Sequence, residues 1–265
     1  MFLSSIYDLY QIPKRIVSLV PSQTELLYYL GLEEETIGIT KFCIHPESWF
    51  KNKTRVGGTK TLHLEKIRSL KPDLVIANIE ENVKEQIEEL ALQYPVWLTN
   101  VNKFVDALQM INDIGQLTGK RTEAPLLTGM IQESFAALSK QRSMYSQTTK
   151  LKTCYLIWKD PYLVAGGNTF INDMLERAGF ENVFADKLRY PETTPGQLFN
   201  MNCQLVLLSS EPYPFKQEHI HELQPLLPHC KIRLVDGEMF SWYGSRLLLS
   251  PGYFEKLQTM IQMPE

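Results

Sequence analysis

Two segments of the chain share one pattern, in which a short amphipathic helix leads into a buried strand. They cover residues 64–77 and 195–208. Aligning Leu74 with Leu205 sets an offset of 131 residues, which carries Leu70 onto Met201 and Ile67 onto Leu198 without a gap. Because this offset is about half of the 265 residues, we expect two similar α/β lobes with a ligand cleft between them.

Strand and helix patterns alternate along the first half of the chain. Residues 15–20 predict a buried strand, and Ser22 and Glu25 have the spacing of a capping box that opens a helix ending at Leu30. Strands are predicted at 36–40, 73–77 and 95–99, and helices at 64–70 and 82–94. This alternation predicts mostly parallel sheets in Rossmann-like lobes.

Residues 103–146 are predicted to be wholly helical, with two helices meeting at Gly119 and the second starting near Thr122. A helix of about 20 residues is about 30 Å long, so we expect it to connect the lobes as a rigid backbone. The predicted domains are an amino-terminal lobe at 1–118, the connecting helix at 119–147 and a carboxy-terminal lobe at 148–265. In the last, strands are predicted at 152–158, 162–167, 205–208 and 232–235, and helices from 168 or 169 to 178 and at 251–262.

Composition argues against several classes of partner. The formal charge is −3, the pI is near 6.0 and no Lys/Arg-rich run is present, so nucleic acid is not expected. No apolar stretch approaches the roughly 20 residues that span a bilayer, so membrane insertion is not expected. The start has no basic residue before Lys14 and carries Asp8, which predicts a cytoplasmic protein; a periplasmic protein whose leader was removed is the alternative.

The sequence contains no strong catalytic or metal-binding motif. The four cysteines lie far apart, and phosphate-loop, nucleophile-elbow and zinc-protease motifs are absent. Cys43 and His45 could offer sulfur and imidazole to a metal, but no third ligand is identifiable. His219 and His221 are expected on the surface. No metal site and no intrinsic cofactor are therefore predicted.

Aromatic residues cluster in predicted loops just beyond strands, where flat rings suit a large planar or apolar ligand. Loops at the carboxyl ends of strands are the usual ligand positions in such sheets. Polar recognition is expected from charged residues in the same loops, including Glu80, Glu238 and Arg246. The predicted ligand-binding residues are Pro21, Ser22, Phe42, Cys43, His45, Thr59, Asn78, Glu80, Trp158, Tyr162, Tyr190, Glu238, Trp242 and Arg246.

Four runs, at residues 15–25, 55–58, 64–77 and 165–175, resemble the helical-backbone (class III) substrate-binding proteins of ABC importers. The similarity covers nearly the whole chain from about residue 14 and is closest to the cobalamin-binding branch. It implies a non-enzymatic protein that binds a corrinoid, haem or iron chelate between two lobes. Cobalamin, cobinamide, haem and iron chelates are thus the expected ligands.

The resemblance also assigns individual positions. Aromatic rings are kept at Phe42, Tyr162 and Tyr190, where the cobalamin-binding branch has Tyr, Phe and Trp in its cleft. Thr59 and Asn78 replace two cleft tryptophans, Glu238 stands for an Asp and Trp242 for an Arg. Part of the corrinoid stacking surface is therefore missing, and the ligand is free to differ from cobalamin.

Docking to an ABC permease in this family uses one surface Glu on each lobe. Glu65 matches the first position, whereas Gly196 occupies the second, at the same 131-residue offset. Taken with the lack of a leader signal at the start, this difference favours a cytoplasmic relative that sequesters or senses its ligand over an importer subunit. The alternative function is a cytoplasmic metallochaperone or an enzyme acting on a metal chelate, with Cys43 and His45 as ligands or with Glu80 and Glu81 as paired carboxylates.

Overall fold

The computed structural model describes residues 1–145 and 150–262. Its strands are β1 (Ile16–Ser18), β2 (Thr36–Ile39), β3 (Thr54–Arg55), β4 (Leu74–Asn78), β5 (Val96–Thr99), β6 (Lys152–Trp158), β7 (Tyr162–Val164), β8 (Glu181–Asn182), β9 (Glu192–Thr193), β10 (Leu205–Ser209) and β11 (Lys231–Val235). Its α-helices are α1 (Pro21–Tyr29), α2 (Glu47–Asn52), α3 (Leu64–Leu70), α4 (Lys84–Ala91), α5 (Phe104–Leu117), α6 (Glu123–Tyr145), α7 (Phe170–Ala178), α8 (Pro195–Asn200), α9 (Gln217–Leu223), α10 (Glu238–Ser241) and α11 (Ser250–Gln262). In these ranges no helix combines the length and the apolar character that crossing a membrane requires.

The chain divides into two compact units. The amino-terminal unit comprises residues 1–101, 105–130 and 243–246. Its sheet has the order β3-β2-β1-β4-β5, and every neighbouring pair is parallel. Apolar side chains of β1, β4 and β5 pack with those of α3 and α4 in one core. Strands this fully buried are typical of a parallel sheet covered by helices.

The carboxy-terminal unit comprises residues 102–104, 131–242 and 247 onward, as far as they are described. Its sheet has the order β11-β10-β6-β7-β9, with β8 also paired to β6. The β11, β10, β6 and β8 pairings are parallel, whereas β7 is antiparallel to both β6 and β9. Only residues 159–161 separate β6 from β7, and so short a connection permits a hairpin but no crossover helix. The predicted α/β fold with mostly parallel strands is confirmed, and this hairpin is its departure from a fully parallel sheet.

The internal repeat is confirmed in the structure. Strand β4 begins at Leu74 and β10 at Leu205, and their last residues, Asn78 and Ser209, are also 131 positions apart. The preceding helices, α3 and α8, begin at the same offset. Strand β4 pairs with β1 and β5, and β10 pairs with β6 and β11. The two copies therefore occupy the same kind of place, flanked by parallel neighbours on both sides.

The start of α1 differs from its prediction. Helix α1 begins at Pro21, its N-cap residue is Val20, and no side chain makes a capping hydrogen bond. The capping box of Ser22 and Glu25 is therefore wrong. Proline is well suited to the first helical position, since it lacks only an N–H that has no partner there. Pro21 thus begins the helix two residues earlier than a cap at Ser22 would allow.

The predicted pair of helices at residues 103–146 is confirmed as α5 and α6. Gly119 turns the chain after α5 with φ of 76°, and a Cβ at Gly115 would lie 2.3 Å from the Ala124 Cβ, so glycine permits this close approach. The division between the two units falls within α6, at Met130 and Ile131. The predicted domain boundary at residues 147 and 148 lies outside the described residues.

Candidate functional site

The carboxyl edge of the amino-terminal sheet carries a buried amide network. Asn78 ends β4, and its Nδ2 donates to the Thr99 carbonyl oxygen at the end of β5 over 3.1 Å. Gln23, in the first turn of α1, donates from Nε2 to Thr99 Oγ1 over 2.7 Å. The Asn78 Oδ1 accepts from the backbone N–H of Glu80 over 2.8 Å. Both ends of the Asn78 amide are engaged, so this side chain shapes the loop after β4, and its contact with a ligand stays a prediction.

Asn82 holds the same loops together, although the sequence pattern does not single it out. Its Oδ1 accepts from the Asn78 N–H over 2.9 Å, and its Nδ2 donates to the carbonyl oxygens of Thr59 (3.1 Å) and Leu19 (3.3 Å). One buried amide thereby joins the loops that follow β1, β3 and β4. Thr59 is buried, and the structure brings it to this network through its backbone. The available signal was an asparagine in the turn directly after a buried strand.

The three predicted ligand-binding residues in the loop after β2 differ in how far they are exposed. Phe42 is 50% exposed, with Lys41 Nζ 5.1 Å from its ring centroid, and His45 is half-buried. Cys43 is fully buried, and its thiol lies 3.1 Å from Thr24 Oγ1 and 3.2 Å from Thr40 Oγ1. Burial raises the pKa of the Cys43 thiol to about 11. Metals bind the thiolate, so this geometry gives no support to the alternative in which Cys43 and His45 bind a metal.

Pro21 and Ser22 lie in the first turn of α1, directly after β1, and both are buried. The Ser22 Oγ and the Gln23 Oε1 are buried atoms without a hydrogen-bond partner among the residues that the structure describes. Unpaired buried polar atoms are uncommon in native proteins, and each calls for an explanation. They mark this turn as a polar part of the carboxyl edge.

Arg246 is occupied by a carboxylate of its own unit. Its Nε donates to Glu25 Oε2 over 3.0 Å, and its Nη2 bonds the other Glu25 oxygen, which makes the pair bidentate. The side chains of Arg246 and Glu25 are 9% and 18% exposed. The pair fastens residues 243–246 to α1, so the prediction that Arg246 recognises a ligand has no support from this geometry.

The two other charged positions of the amino-terminal unit lie in different places. Glu80 is half-buried, and its carbonyl oxygen accepts from Lys60 Nζ over 2.6 Å. Glu65 is exposed on α3, where its carboxylate pairs with Arg68. In the other copy of the repeat, Gly196 is exposed on α8, and like Glu65 it is the second residue of its helix. The sequence alignment of these two positions therefore agrees with their structural equivalence.

Trp158 ends β6 in the carboxy-terminal unit and is 41% exposed. Its ring lies edge-on to Tyr213, with ring centroids 5.7 Å apart. Tyr213 also contacts Phe215 at 4.7 Å, and its hydroxyl lies 3.1 Å from His219 Nε2. The expectation that His219 is on the surface is wrong, because it is buried and accepts from the Lys216 N–H through Nδ1 over 2.8 Å. This aromatic cluster supports the exposed ring of Trp158 from one side.

The remaining predicted aromatic residues of this unit are partly covered. Tyr162 is half-buried on β7, and burial raises the pKa of its hydroxyl while Lys159 opposes the rise. Tyr190 is half-buried in the connection that leads to β9. Residues in that connection bond the backbone after β7, since the Gly166 N–H donates to the Arg189 carbonyl oxygen over 2.8 Å. The structure thus brings Tyr162 and Tyr190 to neighbouring strands.

Trp242 is bound by a carboxylate that sequence reasoning missed. Its Nε1 donates to Glu211 Oε1 over 2.9 Å, and Ser241 Oγ donates to the same oxygen over 2.7 Å. Burial raises the pKa of Glu211, and the charges of Glu238 and Asp236 act in the same direction, whereas the bonds from Ser241 and Trp242 oppose it. Glu211 follows β10 and Glu238 follows β11, so both lie at the carboxyl edge of this sheet. A carboxylate two residues after a buried strand was the signal that could have found Glu211.

The carboxyl edges of the two sheets present exposed aromatic rings beside buried polar groups. Among residues 1–145 and 150–262, no group of three or more His, Cys, Asp or Glu side chains is placed to hold a metal ion. Most predicted residues lie at the carboxyl edge of one sheet or the other, as expected for ligand positions in α/β proteins.

Comparison with known proteins gives the same picture. The family model described as periplasmic binding protein matches residues 16–227. An uncharacterized ABC transporter substrate-binding lipoprotein of Bacillus subtilis, YvrC, is 24% identical over 246 residues, which cover 85% of this chain and 77% of the relative. The vitamin B12-binding protein of Yersinia pestis is 24% identical over 201 residues, covering 75% of this chain and 70% of the relative.

The structure of the periplasmic haem-binding protein HutB of Vibrio cholerae has a similar fold. The TM-score is 0.78 at 22% identity, and the match covers 94% of this chain and 99% of that one. All three of these relatives are named as binding proteins, and YvrC is named as the substrate-binding lipoprotein of an ABC transporter, so the prediction of a non-enzymatic binding protein is confirmed. Because the family model covers more than half of its residues, this chain belongs to the periplasmic binding protein family.

Proposed function

We propose that the protein is a non-enzymatic receptor for a metal chelate with a flat macrocycle, of the corrinoid or haem class, or for an iron chelate. The main support is the placement of two large, half-exposed aromatic side chains at the carboxyl ends of strands: Phe42 lies in the loop after β2, and Trp158 is the last residue of β6. The names of the relatives, which include a vitamin B12-binding and a haem-binding protein, support the same ligand class. Cobalamin, cobinamide, haem and ferric chelates are the members to test.

Ring burial can supply the affinity that such a receptor needs. A chelate that hides about 300 Å² of apolar surface gains roughly 7 kcal/mol at about 25 cal/mol per Å², before ordering costs are subtracted. Each aromatic ring that stacks on the ligand adds about 0.5 to 1.5 kcal/mol. Micromolar binding is therefore attainable without a direct bond from the protein to the metal.

The test is an absorbance and calorimetric titration of the purified protein with cobalamin, cobinamide, haem and a ferric chelate. We expect one of these ligands to bind with a Kd of micromolar or below. Phe42→Ala and Trp158→Ala should each weaken that ligand by about 1 kcal/mol, or about five-fold in Kd, because each removes a ring from its surface.

Tyr10→Ala is the matched control, since Tyr10 is an almost fully exposed aromatic residue in the segment that precedes the amino end of β1. Its Kd should equal that of the unmodified protein. If no chelate binds, the receptor proposal fails. If a chelate binds but both ring variants retain full affinity, the aromatic surface is the part that is refuted.

We infer that an ABC permease is the partner, because the chain resembles subunits of such importers. Glu65 is the proposed docking residue, and Gly196 is the matching position without a carboxylate. A Cβ at Gly196 would meet only Thr194 Oγ1, at 3.9 Å, so Gly196→Glu fits the exposed turn of α8. In uptake assays with the importer, Glu65→Ala should lower uptake by up to about five-fold, and Gly196→Glu should raise it. Unchanged uptake in both variants would remove the docking proposal.

The comparisons do not support the cytoplasmic location expected from the sequence. The relatives are named as a lipoprotein and as a periplasmic protein. We therefore propose that this receptor works outside the cytoplasmic membrane. Fractionation of the native host should recover it with envelope or periplasmic markers, and recovery with a cytoplasmic marker enzyme would contradict this location.

A further inference from the structure

The amino edge of the carboxy-terminal sheet carries three cysteines that no proposed function uses. Cys154 lies in β6, Cys203 precedes β10, and Cys230 precedes β11. All three belong to one buried apolar cluster, and all are free thiols. Their distances from one another follow from the register of the sheet.

In the sheet register, Cys203 and Cys230 lie at the amino ends of neighbouring strands and are offset by one residue. Leu205 pairs with Lys231, and the Lys231 N–H donates to the Gln204 carbonyl oxygen over 2.9 Å, so Cys230 lies opposite Gln204. With strands about 4.8 Å apart and a rise of about 3.3 Å per residue, the two Cα atoms are about 6 Å apart. Disulfides span Cα distances of about 4.4 to 6.8 Å. The spacing of the backbone at the two residues is therefore within the range that a disulfide spans.

Cys154 lies near this pair but is less favourably placed. It pairs with Val206, three residues beyond Cys203 along the chain, and it touches the Cys203 thiol through its backbone N–H. Strand β10 separates β6 from β11, so Cys154 and Cys230 lie on strands that are not neighbours.

The side chains of Cys203 and Cys230 already interact. A hydrogen bond joins the two thiols, and it lowers the pKa of Cys203 while it raises that of Cys230. The Cys203 Sγ also lies 3.2 Å from the Leu205 carbonyl oxygen. The two residues are 8% and 5% exposed, whereas Cys43 and Cys154 are fully buried. This pair therefore combines a direct interaction of its side chains with a small exposed fraction on each residue.

We propose that Cys203 and Cys230 form an intramolecular disulfide by exchange with a small-molecule disulfide. The Cys203 thiolate attacks one sulfur of the reagent, whose other half leaves as a thiolate. Cys230 then loses its proton and attacks the Cys203 sulfur of the mixed disulfide, which releases the second half. Two protein thiols are oxidised, one reagent disulfide is reduced to two thiols, and the two protons pass to the released thiolates.

The bond would fasten β10 to β11 at their amino ends. The carboxyl ends of these two strands lead into the loops of Glu211 and Glu238. The disulfide would also suit a protein of an oxidising compartment, where such bonds persist.

The experiment treats the fully reduced, folded protein with increasing cystamine, quenches with acid and counts thiols by alkylation under denaturing conditions. We expect the count to fall from four to two per chain. Trypsin cuts after Arg189, Lys216 and Lys231, so the bond should link peptide 190–216 to peptide 217–231 in a non-reduced digest. Cys154→Ala is the matched control, and it should lose two of its three thiols in the same linkage.

A count that stays at four across the series would overturn the proposal. So would a stable adduct of one cystamine half on either residue, or a linkage that involves Cys43 or Cys154. The mapping uses the unmodified chain, so the test does not depend on a Cys203 or Cys230 variant that folds. Its outcome is also independent of any ligand titration.

Discussion

The ion pair of Glu25 and Arg246 should be worth more to stability than any ion pair on the surface. Glu25 makes two hydrogen bonds to the Arg246 guanidinium, and both side chains are largely buried. Removing Glu25 would therefore leave the guanidinium charge with neither its partner nor full hydration. Removing one partner of a fully buried pair costs about 3 to 5 kcal/mol. Because 18% of the Glu25 side chain is exposed, we expect Glu25→Ala to lower the free energy of unfolding by about 2 to 4 kcal/mol.

The double variant distinguishes an unpaired charge from lost packing. Glu25→Leu combined with Arg246→Met removes both charges and keeps most of the buried volume, so it should be more stable than Glu25→Ala. The coupling free energy in the corresponding double-mutant cycle should exceed about 1.5 kcal/mol. Glu65→Ala is the matched control, since it removes a carboxylate that pairs with Arg68 on the exposed face of α3, and its unfolding midpoint should hardly change.

Urea denaturation followed by tryptophan fluorescence is the assay. A background of Trp158→Phe and Trp242→Phe leaves Trp49 and Trp97, which both belong to the amino-terminal unit that holds the ion pair. The transition then reports on that unit. A loss below about 0.5 kcal/mol for Glu25→Ala, or a double variant less stable than the single one, would refute the reasoning from desolvation.

Three further predictions test other parts of the structure. Gly57→Ala should destabilise the protein by roughly 1 to 3 kcal/mol, because φ at Gly57 is 106° and the new Cβ would lie 2.4 Å from a backbone oxygen. Gly129→Ala should stabilise it by about 1 kcal/mol, because Gly129 lies in α6 and its new Cβ would enter open space. Urea denaturation measures both changes. The pKa of Glu211 is higher in the folded protein than in the unfolded one, so the protein loses stability as the pH rises from the unfolded to the folded pKa. Over this pH range, Glu211→Gln should become more stable relative to the unmodified protein, as measured by thermal melting at a series of pH values. In the same variant the acid-induced change in Trp242 fluorescence should vanish. Asn82→Ala should cost about 1 to 3 kcal/mol and speed amide exchange in the loop after β4, because two carbonyl oxygens and one N–H lose their partner.

Residues with a strong local signal were predictable from the sequence. Long apolar runs located β4, β6 and β10, and residues at spacings of three and four located α5, α6 and α11. Elements of two to six residues, such as β3, β8, β9, α2 and α10, carry too few residues for a period to show. The sequence pattern located strand β7 but did not predict its direction. It is antiparallel because only residues 159–161 connect it to β6.

The candidate site was predictable at the level of loops and not of contacts. Phe42 and Trp158 were expected in loops or just beyond strands; Phe42 lies in the loop after β2, Trp158 is the last residue of β6, and both have much of their surface exposed. Cys43 and Arg246 were expected beside them and prove to be engaged inside the protein. Nothing in the local sequence of Arg246 indicates that its partner is Glu25, which lies 221 residues away.

The sequence by itself determined the architecture, because the repeated helix-strand pattern at an offset of 131 residues and the alternation of strands and helices are local properties of the chain. Only the tertiary structure decided which polar side chains remain available. Asn82, Glu211 and Arg246 each find partners on other elements, and burial then sets the free energy of their hydrogen bonds and charges. Those partners meet only after the strands have paired, so their roles cannot be inferred from the residues that surround them in the chain.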